Sequence, residues 1–369
     1  MSPESSSSGA PEAARRSASR KLLLAALASV VGFAATEGAA RLALGRMGDG
    51  PPPIEISWEE HTGGSKYQLK LRDQLYAPHP ATFFRLQPNL DLPKTSNPRI
   101  FGLSTNSHGL RGPEFESTKP AGTYRVLCLG DSCTFGSGAA DAGTYPAQLQ
   151  AALADLQPEQ SVEAINSGVP GFSSYQGLAF LESEGLGLAP DAVTIAFGYN
   201  DSSPAKSGSK RAYREGLALS DQEFGSARKP PSSWAIVRLY QRLRPSAVAN
   251  PTEDESAEPT KPRVDLADFR ANHERMLALC QARGIPVILM VWPLRAQVAE
   301  KMPGDSQAKL ALLPEYQALL REWEAQDGVQ VLDLIPALDG KPEHFVDQVH
   351  LNAAGYGVVA QRLAAVLAR

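Results

Sequence analysis

Ser132, Asp347 and His350 are the residues of this chain whose types could together carry nucleophilic chemistry. A serine hydroxyl is a weak nucleophile until a base removes its proton. Histidine suits that work, because its unperturbed pKa of ~6.5 lies close to neutrality. The imidazole must be held in one tautomer, which is a task for a carboxylate. Asp347 stands three residues before His350 and can do this if a short loop turns both side chains the same way. A tetrahedral adduct on Ser132 would need N–H donors for its oxyanion. The backbones of Ser132 and Gly171 and the side-chain amide of Asn200 are the candidates, with Asp131 and Asp201 beside them in supporting places.

These residues are far apart in the chain, so the elements that carry them must bring them together. The apolar run Val126 to Leu129 ends at Gly130, and Asp131 and Ser132 come next. That pattern predicts a buried strand delivering a serine onto a tight turn at the carboxyl end of a sheet. Gly-Asp-Ser alone is common turn chemistry, so its meaning depends on the partners that the rest of the chain supplies. From Tyr124 onward strand and helix alternate, which predicts a parallel sheet. Strands are expected at 124–129, 162–165, 192–197, 286–292 and 329–332, with helices at 145–156, 175–186, 264–282 and 307–326 and a last helix capped by Asn352. Each strand end carries polar punctuation: Ser132 after the first, Asn166 to Ser174 after the second and Gly198 to Asp201 after the third. Open α/β sheets place ligands at that end.

The remaining chain divides by composition. Residues 1–21 are rich in Ser, Ala, Pro and Glu and close with Arg15, Arg16, Arg20 and Lys21, a composition that forms no core. An apolar run over 22–35 comes after them, and this order reads as an export signal. It can extend to Leu44 as a signal anchor over 22–44 if Glu37 and Arg41 pair across one helical turn. The basic flank would keep the N-terminus inside and the rest of the chain outside the cytoplasm. Such a chain is membrane-anchored, or secreted if the signal is cut. Residues 45–120 are expected to be a linker and, from 57, an accessory segment of short strands and loops. Residues 202–264 interrupt the strand–helix rhythm with prolines and a polar run. They read as an insertion with one amphipathic helix near 234–243, serving either as a cover for the site or as ornament.

Several classes are excluded. The 40 acidic and 36 basic residues leave a formal charge of -4, which gives nucleic acid no electrostatic footprint. Three cysteines cannot form a disulfide framework, and none has metal-ligand spacing. No Gly-rich loop carries a lysine for phosphate. No cofactor and no metal is expected. His61, His79 and His273 lie among polar residues and are expected at the surface, as are His108 and His344.

Gly130-Asp-Ser132, the glycine after Asn166, Gly198-x-Asn200-Asp201 and Asp347-x-x-His350 resemble, in order and spacing, the four blocks of the SGNH (GDSL-type) hydrolases. The likeness covers residues 122–369. It implies a flavodoxin-like three-layer αβα sandwich around a parallel sheet, to which the anchor and accessory segment are additions. It implies Ser132, His350 and Asp347 as catalytic residues and an oxyanion hole from Ser132, Gly171 and Asn200. Gly168 is the alternative to Gly171, and Asp131 is expected to brace the turn rather than react. The activity implied is hydrolysis of small acyl esters, an O-acetyl group on a carbohydrate being one candidate among them. The same residues would serve an O-acyltransferase acting on an envelope polysaccharide. A non-catalytic envelope binding or assembly protein is the third reading.

Overall fold

The computed structural model describes residues 32–43, 75–79, 81–92, 102–203, 220, 222, 262–299 and 307–368. The chain divides into two compact units, one of residues 1–52 with 229–249 and the other of residues 53–228 with 250–369. The described part of the first unit is one helix, α1, over residues 32–43. Within it Arg41 Nε donates to Glu37 Oε1 at 3.1 Å, a pairing that the i, i+4 spacing allows. Among the described residues no helix is long and apolar enough to cross a membrane. The anchor expected over 22–44 begins outside them. Also outside them are the linker 45–56, His61, the helix expected near 234–243 and most of the insertion 202–264.

The second unit holds a five-stranded sheet in the order β6-β5-β7-β8-β9. Its strands are β5 (Thr123–Gly130), β6 (Ser161–Asn166), β7 (Ala192–Ala196), β8 (Val287–Val291) and β9 (Val329–Asp333). All four pairings are parallel. In chain order the strands run second, first, third, fourth, fifth, the flavodoxin-like arrangement. Every residue of β7 and β8 is buried, as is the run from Val126 to Gly130. Strands so apolar must be covered on both faces. α3 (Tyr145–Leu156) packs with α9 (Ala353–Leu367), and α4 (Ser174–Ser183) packs with α5 (Leu266–Gln281), which also meets α7 (Gln307–Arg321). These helices are the outer layers of the sandwich. Short helices α2 (Ser132–Phe135), α6 (Arg295–Val298) and α8 (Ile335–Leu338) come after β5, β8 and β9.

The accessory segment contributes two antiparallel pairs, β1 (Tyr76–His79) with β2 (Phe83–Leu86) and β3 (Asp91–Leu92) with β4 (Leu103–Ser104). Leu75, Phe84, Leu86 and Leu103 enter the same hydrophobic core as the sheet. Helix ends differ from the periodic pattern. The helix expected to Leu186 stops at Ser183, and that expected to Gln326 stops at Arg321; each tightens into a 3-10 turn. α5 starts at Leu266 because Asp265 caps it, accepting from the Asp268 N–H at 2.8 Å.

Two histidines expected at the surface are not there. His273 is wholly buried, on the α5 face that also carries Phe269, Met276 and Cys280. The 3.6-residue period turns it inward although its neighbours Glu274 and Arg275 are exposed. The His79 side chain is only 14% exposed and meets Glu184 at 3.2 Å. His108 is half-buried and stacks on Phe115, ring centroids 4.7 Å apart, and His344 is half-buried.

Candidate active site

β5 has β6 on one side and β7 on the other, so the connections leaving β5 and β7 diverge at the carboxyl edge and open a crevice between them. Ser132 lies at the first edge and Asn200 at the second. The turn into α2 is built by Asp131, whose Oδ1 accepts from the Cys133 N–H at 2.8 Å. Asp131 is the N-cap of this helix. The far end of α2 is gripped by Arg111, which is 4% exposed. Its guanidinium donates to the carbonyls of Phe135 (2.9 Å), Gly136 (3.1 Å) and Ala139 (2.8 Å), pairs with Asp141 at 2.7 Å and lies 4.5 Å from the Phe135 ring centre. Burying this charge lowers the Arg111 pKa, while Asp141 opposes the shift.

The loop before α9 supplies the second part. Asp347 Oδ1 accepts from the N–H groups of Val349 and His350, both at 2.9 Å. Its Oδ2 meets His350 Nδ1 at 2.7 Å, and His350 Nε2 meets Ser132 Oγ at 2.8 Å. Burial would raise the Asp347 pKa. The His350 hydrogen bond, its charge and the two backbone N–H groups outweigh burial and hold the carboxyl well below its usual range. The loop is pinned from the sheet by Trp292, whose indole N–H donates to the Val349 carbonyl at 3.0 Å. Gln348 Nε2 donates to the Tyr199 hydroxyl at 2.8 Å. Asn352 caps α9 through the Gly355 N–H at 3.0 Å.

The donor candidates converge through Asn200. Its Nδ2 donates to Asp131 Oδ2 at 3.0 Å and to the Phe172 carbonyl at 2.9 Å. Both amide hydrogens are therefore engaged, so the side chain ties the 172 loop to the residue before Ser132, and donating to a substrate would require releasing one bond. The N–H groups of Ser132 and Gly171 have no protein acceptor among the described residues. Gly168 differs, because its N–H donates to Asn166 Oδ1 at 3.1 Å. A Cβ on Gly168 would stand 2.1 Å from the Phe135 nitrogen, so that glycine serves close packing. Gly171 has φ 88°, open to glycine, and its carbonyl accepts from Arg263 Nη1 at 2.8 Å. Asp201 is fully buried and accepts from the N–H groups of Ser174 (2.8 Å) and Gly198 (3.0 Å), bracing the third loop.

Sequence reasoning missed Arg111, Arg263 and Trp292. The two arginines act on backbone carbonyls distant in sequence, which leaves no spacing signal; Trp292 showed only as the end of an apolar run. Burial pushes the Cys128 thiol up to about 12 and the Cys280 thiol up to about 11, and holds Cys133 well above its usual range, so all three are inert. Among the described residues no group of three or more His, Cys, Asp or Glu could hold a metal ion.

The fold resembles several solved hydrolases. A lipase/acylhydrolase from Enterococcus faecalis is 19% identical at a TM-score of 0.42, the match covering 66% of this chain and 95% of that one. An α/β hydrolase from the metagenome of Lake Arreo, Spain, is 20% identical at 0.41, covering 66% and 94%. An acetylxylan esterase from Geobacillus stearothermophilus is 17% identical at 0.41, covering 65% and 92%. Among curated proteins nothing matches. The profile of the GDSL-like lipase/acylhydrolase family matches residues 128–358, more than half of the chain. The chain belongs to the GDSL-like lipase/acylhydrolase family and is an ester-bond hydrolase.

Proposed function

We propose that the chain hydrolyses small acyl esters, an O-acetyl group on a carbohydrate in particular, with Ser132 as nucleophile, His350 as base and Asp347 as its orienter. The observation that carries this reading is the continuous hydrogen-bond chain from Asp347 through His350 to Ser132, with links of 2.7 and 2.8 Å. Ser132 Oγ attacks the ester carbonyl while His350 Nε2 takes its proton. The oxyanion forms against the N–H groups of Ser132 and Gly171, joined by Asn200 if it releases one bond. The alcohol leaves with the proton from His350, and an acyl group remains on Ser132. Water, deprotonated by His350, then releases the acid and restores the serine.

The same reading extends to location. The basic flank at Arg15, Arg16, Arg20 and Lys21 before the apolar run over 22–35 supports export, with the N-terminal segment retained in a membrane. Cell fractionation that finds the whole chain in the cytoplasm refutes this part alone.

The test of activity is hydrolysis of a chromogenic acetyl ester by the purified full-length protein. Ser132→Ala should lower turnover by about four to six orders of magnitude. Equal activity in the variant removes the reading. With a carbohydrate acceptor present, free acid identifies hydrolysis and acylated sugar identifies transfer.

A further inference from the structure

Val169, Pro170, Gly171 and Phe172 form a turn closed by the Phe172 N–H on the Val169 carbonyl at 3.0 Å. Proline in the second place and glycine in the third, with φ 88°, make it type II. The same four residues could form a type I turn by rotating only the central Pro170–Gly171 peptide. The closing bond exists in both forms, and glycine tolerates negative φ as readily as positive. Rotation would swing the Gly171 N–H to the opposite face of the turn. The closing bond therefore does not decide where that N–H points.

The carbonyl of the same planar peptide does decide it, because its oxygen and the Gly171 N–H point in opposite directions. That oxygen, on Pro170, accepts from the Tyr76 hydroxyl at 3.4 Å. Tyr76 lies on β1, outside residues 128–358 that match the family. Its ring is fixed by the turn it serves: it meets Phe84 edge-on at 5.2 Å, and Phe84 meets Phe172 at 5.3 Å. The next two carbonyls, of Gly171 and Phe172, are held by Arg263 at 2.8 Å and Asn200 at 2.9 Å. Those bonds anchor the turn, and neither is made by the central peptide.

We propose that Tyr76 is a positioning residue, whose hydroxyl holds the Pro170–Gly171 peptide so that the Gly171 N–H faces the oxyanion. The proposal rests on the function proposed above. Burial raises the Tyr76 phenol far above its ordinary range, so the hydroxyl remains a donor at every assay pH. The accessory hairpin then belongs to the catalytic machinery rather than decorating it.

The test is Tyr76→Phe in the full-length protein, which removes one oxygen and keeps the ring. One hydrogen bond of ordinary net worth shifts the turn equilibrium about fivefold, so kcat for an acetyl ester should fall by up to about fivefold. KM should stay unchanged, and the melting temperature should fall by no more than the few degrees that one hydrogen bond is worth. The rate at which a serine-reactive phosphonate labels Ser132 should fall by the same factor, because its adduct carries the same oxyanion. Tyr76→Leu should show that loss and a lower melting temperature as well. Wild-type kcat in Tyr76→Phe, a change confined to KM, or a melting temperature as low as that of Tyr76→Leu overturns the proposal while the esterase reading stands. A wild-type protein that neither turns over esters nor takes the phosphonate removes both.

Discussion

Replacing Asp347 by asparagine isolates what the carboxylate does for His350. Oδ1 of Asp347 accepts two backbone N–H groups at 2.9 Å, and an asparagine carbonyl would keep both, so the loop should hold its shape. The Oδ2 position, 2.7 Å from His350 Nδ1, would become an NH₂ group. Two donors cannot share that bond. The imidazole proton would move to Nε2 and point at Ser132 Oγ, 2.8 Å away. The serine would then accept a hydrogen bond where the proposed reaction needs it to give up a proton. A wrong tautomer of this kind costs about four orders of magnitude in kcat, which at 1.36 kcal/mol per decade is about 5 kcal/mol of transition-state stabilisation. The assay is initial-rate hydrolysis of an acetyl ester at neutral pH, with a melting curve on the same preparation. Turnover within about tenfold of wild type, or a loss that merely tracks a fall in melting temperature, refutes the tautomer argument.

Two further outcomes test neighbouring features. Asn200→Ala removes the amide that bridges Asp131 and the Phe172 carbonyl; kcat should fall about 10²–10³-fold, and a smaller loss means that the backbone N–H groups suffice without it. Burial lowers the His273 pKa from 6.5 to about 4, and its Nε2 has no hydrogen-bond partner among the described residues. The unfolded chain takes up this proton near pH 6.5 and the folded chain only near pH 4, so stability is full above pH 6.5 and declines as pH falls through that window. The loss reaches roughly 3 kcal/mol. Denaturant melts of His273→Leu should show a shallower acid decline than wild type, and identical slopes would remove His273 as the cause.

The fold class was legible because its signals are local. Apolar runs bounded by glycine and polar punctuation mark the buried parallel strands, and the helices at 145–156 and 353–367 carry a 3.6-residue period with Thr144 and Asn352 at their caps. Asp347 and His350 could be read together because they stand only three positions apart on one loop. Burial was less legible. His273 sits between polar neighbours, and only the rotation of α5 against the core decides that it faces inward. The difference between Gly168 and Gly171 also required coordinates, since both glycines come after Asn166 in one short loop and only the first has the Phe135 backbone packed where a Cβ would stand.

The order of strands and the residue types at their ends were written in the chain, because periodicity, turn chemistry and nucleophile–base identity are properties of neighbours in sequence. The long-range pairings were decided only by the closed sandwich. Arg111 reaches carbonyls 24 to 28 positions away, Tyr76 reaches one 94 positions away, and His350 meets a hydroxyl 218 positions away. Such contacts depend on where strands of one sheet end relative to each other, which packing determines and no stretch of sequence contains.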